Sequence, residues 1–269
     1  MANSIYQALS ELEKNNESAA LCTVIKSEGS TPRHVGSKML VYADGKFIGT
    51  IGGGDLEHRV LDEAWITISE GSARTLKYTL SDPSRGDPGV CGGTVEVFVE
   101  PILPPAMILV IGGGHVGKAV VHLAKWLGFR VAVSDDRSEF CNPESVPGAD
   151  GYYPVEMGKL ADELKINRLT YIVITSRGSS VDAKGLPSLL DTSASYIGVI
   201  GSKRRWMTTV RALKEQGVSE EKIAKVHSPM GLELNAETPE EIAVSIMAEI
   251  LMLKDKGTGK PMKGQQAEA

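Results

Sequence analysis

Gly112, Gly114 and Gly117 have the G-x-G-x-x-G spacing of a turn that receives a pyrophosphate. The first glycine permits the tight turn, the second lets the backbone approach a phosphate, and the third lets the following helix lie close on its strand. Asp135 stands 18 residues beyond Gly117, where a ribose-binding carboxylate belongs. His115 lies within the same turn. A second set of chemically capable residues precedes this one. Gly29-Ser30-Thr31-Pro32-Arg33-His34-Val35-Gly36 offers hydroxyls and a guanidinium suited to gripping an oxyanion. Gly52-Gly53-Gly54-Asp55-Leu56-Glu57 offers consecutive backbone N–H groups for a second anion nest, or a flexible helix start capped by Asp55. Cys91-Gly92-Gly93 places a soft sulfur beside two residues that leave it room. Its thiolate is suited to contacting a metal or attacking an electrophile, which makes Cys91 the candidate catalytic residue.

Each set needs elements to position it. Met107 to Ile111 is a short run of apolar residues of the kind found in a parallel strand buried on both faces. Val116, Val120, Leu123, Ala124 and Leu127 then recur at helical spacing, and Gly128 stops the helix. Phe129 to Ser134 is the next strand, ending at Asp135. Beyond it, helical patterns over Met157 to Leu164, Asp182 to Leu190 and Lys203 to Gln216 alternate with strands over Gly151 to Tyr153, Tyr171 to Thr175 and Ser195 to Ile200. Thr238-Pro239-Glu240-Glu241 combines an N-cap, a proline at the first helical position and a glutamate three residues after the cap, predicting a last helix.

The earlier part of the chain reads differently. A first helix over Ile5 to Leu12 is followed by strands at Ala19 to Ser27, Lys38 to Tyr42, Phe47 to Ile51, Thr75 to Leu80 and Thr94 to Glu100. A helix from Leu56 to Ser69 interrupts them, and the segment from Ser81 to Gly93 is irregular. Pro101, Pro104 and Pro105 mark a boundary, dividing the chain into domains at 1–104 and 105–255 with a polar tail at 256–269.

Composition narrows the function classes. A hydrophobic content of 42% with 23% charged residues is that of an ordinary globular protein. A net charge of −5 without a basic stripe excludes nucleic acid as the expected partner. No apolar run is long enough to span a bilayer and the first residues are not of the secretory type, so a cytoplasmic protein without a membrane partner is expected. Cys22, Cys91 and Cys141 are odd in number and widely separated, which argues against a disulfide framework. The five histidines include no metal-binding pair, which argues against a zinc hydrolase.

Taken together, these stretches resemble the XdhC/CoxI family of xanthine dehydrogenase accessory proteins. The resemblance is carried by Gly29-Ser30-x-Pro32-Arg33-x-x-Gly36, Gly52-Gly53-Gly54-x-Leu56-Glu57, Cys91-Gly92-Gly93 and Gly114-His115-Val116-Gly117. It continues in Asp135-Asp136-Arg137, Tyr196-Ile197-Gly198-x-Ile200-Gly201-Ser202, Pro229-x-Gly231-Leu232 and Glu237-Thr238-Pro239-Glu240-Glu241-Ile242-Ala243. It implies an α/β chain, with a smaller N-terminal α+β domain and a C-terminal Rossmann-like doubly wound parallel sheet. The implied role is to bind molybdenum cofactor and help insert the matured form into an apo molybdenum hydroxylase of the xanthine or carbon monoxide dehydrogenase type. A cysteine desulfurase and a second copy of the chain are the further partners it implies. The residues expected to hold the cofactor are Arg33, Gly52, Gly53, Gly54, Glu57, Cys91, Gly92, Gly93, Gly112, Gly114, His115, Gly117, Asp135 and Asp182, with Cys91 towards the molybdenum. Two positions depart from many relatives, which have cysteine in place of Asp55 and histidine in place of Ser179. The competing class is an NAD(P)-dependent oxidoreductase using the same glycine turn, with Asp135 on the ribose and Arg137 near a 2′-phosphate.

Overall fold

The computed structural model describes residues 4–15, 17–81, 88–89 and 91–263. The chain forms two compact units, 1–104 and 105–269. In the first, strands β1 (Ala19–Glu28), β2 (Lys38–Tyr42), β3 (Phe47–Gly49), β4 (Arg74–Thr79) and β5 (Thr94–Ile102) make an antiparallel sheet in the order β3-β2-β1-β5-β4. Strand alternation divides β1 between two small cores. Ala20, Cys22 and Val24 pack with Leu56, Val60 and Ala64 of helix α2 (Gly54–Glu70). Ala19 and Leu21 pack with Ala8 and Leu12 of helix α1 (Ile5–Asn15). β5 runs two residues further than its apolar pattern predicts, carrying Pro101 opposite Ala20.

The second unit is a six-stranded sheet whose paired strands are all parallel. Its strands are β6 (Met107–Ile111), β7 (Arg130–Ser134), β8 (Gly151–Tyr153), β9 (Thr170–Ile174), β10 (Tyr196–Val199) and β11 (Val226–His227), in the order β11-β10-β9-β6-β7-β8. The chain therefore winds outwards from β6 through β7 and β8, then returns to lay β9 on the other side of β6. This reversal opens a crevice at the C-terminal ends of β6, β7 and β9. Both sheet faces are covered, so β6 is buried throughout. Ile108, Val110, Val131 and Val173 face helices α3 (His115–Trp126) and α8 (Pro239–Lys254). Leu109, Ala132, Ile172 and Ile174 face the layer that contains helices α5 (Ser179–Leu190) and α6 (Lys203–Glu215).

The structure differs from the sequence expectation in several elements. The helix read over Met157 to Leu164 is a 3-10 turn at Met157–Lys159 followed by a single turn, α4 (Leu160–Glu163). α5 starts at Ser179, three residues before the sequence expectation, with Val181 of its first turn packed against the core. The short helix α7 (Glu220–Ile223) and the two-residue β11 carry too little periodicity to be read from sequence. α8 begins as its signature predicts: the Thr238 hydroxyl accepts from the Glu241 amide while the Glu241 carboxylate takes the Thr238 amide.

Candidate functional site

In the first unit three loops come together. A Cβ placed on Gly52 would lie 2.6 Å from Pro32 Cγ, and one on Gly29 would lie 3.2 Å from Gly93 Cα. One on Gly93 would lie 2.6 Å from the Glu28 carbonyl oxygen. The turn after β1, the loop before α2 and the Cys91 loop therefore touch through positions where only glycine fits. The Cys91 loop is anchored by Gly92 donating to the Leu80 carbonyl at 2.5 Å and Leu80 donating to the Gly93 carbonyl at 2.8 Å. Residues 82–87 and 90 of the irregular segment lie outside the described residues.

The loop before α2 has a feature that its composition hides. Gly52, Gly53 and Gly54 all have positive φ, at 144°, 76° and 65°, a backbone that favours glycine. The anion in this nest is Glu57. Its Oε2 accepts from the Thr50 hydroxyl at 2.7 Å, the Gly53 amide at 3.1 Å and the Ile51 amide at 3.2 Å. Glu57 thus fixes this loop, while the Gly52 amide donates to the Thr50 hydroxyl at 3.1 Å. The N-cap of α2 is Gly53, while Asp55 in the first turn pairs with Arg59 at 2.9 Å. Three features of this cluster point outwards. Arg33 is exposed and makes no ion pair among the described residues. Cys91 is exposed, whereas Cys22 and Cys141 are buried. Among the described residues a Cβ on Gly92 would meet nothing within 4 Å.

In the second unit the crevice at the strand ends holds a cavity of about 440 Å³. Gly112 and Gly114 form part of its floor, with Asp135, Asp136 and Arg137 from the end of β7 and Ser176 and Arg177 from the end of β9. Glu156 and Lys184 complete its charged lining. The glycines divide by role. A Cβ on Gly114 would meet nothing within 4 Å, leaving room for a ligand at the start of α3. One on Gly117 would run into the Gly112 carbonyl, so Gly117 serves helix packing and does not line the cavity. His115 lies outside this cavity, in an apolar groove with Lys118, His122 and Val244.

Asp135 lines the cavity beside the glycine turn. Its side chain is only 3% exposed, and both carboxylate oxygens are engaged. Oδ1 accepts from the Arg137 amide at 3.1 Å and Arg137 Nε at 2.9 Å. Oδ2 accepts from the Gly113 amide at 3.1 Å and Arg137 Nη2 at 2.9 Å. Asp135 therefore closes the glycine turn against the end of β7. Asp182, also expected at the ligand, is fully buried. It accepts from the Ser176 hydroxyl and from Arg205 Nη2 at 2.7 Å, and so ties α5 and α6 to the loop after β9.

Three charged pairs line the cavity: Arg137 with Asp135, Arg177 with Asp136, and Lys184 with Glu156. The Arg177 guanidinium beside Asp136 holds that carboxyl below the usual range, outweighing some burial. Because Asp136 follows β7, Arg177 follows β9 and β6 lies between them, this pair spans the end of β6. Arg177, Lys184 and Glu156 are absent from the cofactor-binding residues expected from sequence. The rule that ligands bind beyond the carboxyl ends of the strands singles out Arg177, three residues past β9. Among the described residues no three His, Cys, Asp or Glu side chains are grouped to hold a metal ion, and no helix is long and apolar enough to cross a membrane.

The strand order, the glycine turn and the crevice define a Rossmann-type unit joined to an α+β unit. Residues 108–250 match the XdhC Rossmann domain, and residues 12–79 match the XdhC and CoxI family. The chain belongs to that family. It is 35% identical to the uncharacterized protein YqeB of Escherichia coli over 95% of this chain and 47% of that protein. It is 29% identical to a probable xanthine dehydrogenase subunit from Bacillus subtilis, over 61% of this chain and 47% of that one. It thus spans about half the length of those two relatives. The molybdenum cofactor insertion chaperone PaoD of Escherichia coli is 22% identical over 89% of this chain and 85% of its own. A crystal structure of a xanthine dehydrogenase from Bacillus halodurans superposes with a TM-score of 0.51 at 23% identity, covering 95% of this chain and 97% of that one, a likeness of fold.

Proposed function

We propose that this protein binds molybdenum cofactor and assists its insertion into a molybdenum hydroxylase of the xanthine dehydrogenase type. The observation that carries this reading is the loop cluster of the first unit. Gly29, Gly52 and Gly93 bring three loops into contact, and the groups left exposed are a guanidinium, Arg33, and a thiol, Cys91. A molybdopterin carries hard phosphate oxygens at one end and a soft metal–sulfur centre at the other. Arginine suits the former and cysteine the latter. A relative of similar length is named a molybdenum cofactor insertion chaperone, which supports the same reading. The cofactor is cargo here: Cys91 contacts its metal end, Arg33 its anionic groups, and the apo-hydroxylase is the receiving partner.

The test is retention and delivery. Molybdenum cofactor is offered to the parent, Cys91→Ser and Arg33→Ala, and each is assayed for retained molybdenum and for activation of a cofactor-free hydroxylase. Cys91→Ser nearly preserves volume while removing the soft donor, so its melting curve is expected to match the parent while both readouts fall. Equal retention and activation by Cys91→Ser and the parent would exclude the thiol contact. A second reading, an NAD(P)-dependent oxidoreductase, is favoured by the strand order and the open space at Gly114. Retention of a nicotinamide dinucleotide with turnover of a reducible substrate would favour it over the carrier.

A further inference from the structure

We infer that the crevice of the second unit is strapped shut by two ion pairs, Arg177 with Asp136 and Lys184 with Glu156, and that an anionic ligand opens it by drawing both cations from their carboxylates. Opening by the ligand rests on the nicotinamide dinucleotide reading; the straps themselves do not. The strand order β9-β6-β7-β8 makes β9 and β8 the flanks of the crevice, with the glycine turn of β6 between them. Arg177 follows β9, and Lys184 belongs to α5, the helix that comes after β9. Asp136 follows β7 and Glu156 follows β8. Both pairs therefore join the β9 side to the β7–β8 side. Each has its cation on the first and its carboxylate on the second, so charge is segregated between the two walls.

The walls are also joined by a contact of another kind. The residues next in the chain to Lys184 and Glu156 are Gly185 and Met157, both buried, and a Cβ on Gly185 would lie 2.5 Å from Met157 Cβ. Close packing of that sort does not open without loss of core contacts. The charged pairs differ. The Arg177 fork is bidentate, with Nη1 3.0 Å from Asp136 Oδ1 and Nη2 2.8 Å from Oδ2, and Lys184 Nζ is 2.9 Å from Glu156 Oε2. Yet all four side chains are at least 37% exposed, so each pair is weak, screened by salt and able to open and reclose. A ligand shifts such an equilibrium only by preferring one of the two states. Once open, the β9 side presents two cations without their carboxylates, and an anion on the glycine turn supplies the missing charge. The preference for the open state then comes from Arg177 and Lys184.

The test follows access to the glycine turn in the full chain. A reporter cysteine is placed at Gly114, where an added Cβ meets nothing within 4 Å among the described residues, together with Cys91→Ser, which leaves Cys22 and Cys141 buried. Labelling by an uncharged, bulky maleimide is compared for the reporter chain alone, with Asp136→Asn and Glu156→Gln, and with Arg177→Gln and Lys184→Gln. Either pair of substitutions removes both straps and is expected to raise the labelling rate about threefold, within the range of exposed ion pairs. Raising salt from about 0.05 M to about 0.5 M is expected to accelerate the reporter chain alone and not the substituted ones. Equal rates in the three chains, indifferent to salt, overturn the straps. The salt series on the reporter chain needs no strap substitution, and decides the matter if either double variant does not fold. NAD is then titrated into the parent and the same two double variants without the reporter. Loss of the carboxylates is expected to tighten NAD about threefold and loss of the cations to weaken it about threefold, a divergence that mere loosening of the fold does not produce. Affinities that are equal, or that move the same way in both variants, overturn opening by the ligand. Straps that pass the labelling test in protein that binds no NAD stand, and the dinucleotide reading falls.

Discussion

The carboxylate of Glu57 accepts the Gly53 amide at 3.1 Å, so the first turn of α2 supplies the anion for the glycine nest that precedes it. The same oxygen takes the Ile51 amide and the Thr50 hydroxyl. Glu57→Ala leaves these three donors without their acceptor and is expected to cost about 1–3 kcal/mol, measured by urea unfolding. Emptying the nest also creates an anion site. Added phosphate is expected to raise the melting temperature of Glu57→Ala more than that of the parent, and an equal rise in both would contradict the assignment.

Asp182 and Arg205 offer a larger effect. Asp182 is fully buried, and Arg205 donates to it and to Ser176, with its own Nε unpaired among the described residues. Asp182→Ala leaves the guanidinium without its counter-charge and is expected to destabilise by about 3 kcal/mol, the lower end for a broken buried pair because Arg205 retains 24% exposure. Chemical denaturation checks it. A loss below about 0.5 kcal/mol, as for an ordinary surface substitution, would show that the network carries no stability.

The glycines of the turn after β6 separate by role. Gly114 has a negative φ of −72° and open space for a methyl, so Gly114→Ala is expected to fold within about 0.5 kcal/mol of the parent while weakening any phosphate ligand. Gly117→Ala drives its methyl into the Gly112 carbonyl and is expected to cost about 1–3 kcal/mol. Melting curves and ligand titration on the two variants distinguish the roles, and equal melting temperatures would refute the packing assignment.

These cases show what could be read from sequence. The doubly wound unit was legible because buried parallel strands are uninterrupted apolar runs, and because Gly112, Gly114 and Gly117 sit between such a strand and a periodic helix. The start of α8 was legible because Thr238, Pro239 and Glu241 act locally. The fate of each anion-binding amide was not. Whether the Gly53 amide meets Glu57 or a ligand depends on loop dihedrals, and whether Asp135 is free depends on the rotamer of Arg137 two residues on. Asp182 is expected at the ligand from the family resemblance, and nothing near it in sequence announces its partner Arg205, 23 positions later.

Glu249 connects acidity to stability. Burial raises its pKa, but hydrogen bonds from His227, Tyr196 and the Gly231 amide outweigh that, and the carboxyl is held below its ordinary value of 4.5. A depressed folded-state pKa contributes stability that is present above the unfolded value and is lost as pH falls through the folded one. The parent is therefore expected to lose stability on acidification below the ordinary glutamate range. Glu249→Gln, which cannot titrate, is expected to have a shallower acid slope over the same interval. Parallel slopes in denaturation curves taken at successive pH values would remove Glu249 from the acid response.

Cys91 is distinguished from the other two cysteines by accessibility alone, which gives a direct chemical test. Cys22 lies in the sheet core, where burial pushes its thiol up to about 12, and Cys141 is buried with its Sγ 3.4 Å from the Val133 carbonyl. A thiol reagent needs both contact and thiolate, and neither buried cysteine supplies them. The native parent is expected to react at one thiol and the denatured chain at all three, while native Cys91→Ser is expected to be inert. Molybdenum cofactor bound through Cys91 would shield that thiol, slowing the single native reaction without changing the denatured total. Cofactor that is retained yet leaves the labelling rate unchanged would place its metal end away from Cys91, and the carrier would then hold its cargo through Arg33 and backbone contacts.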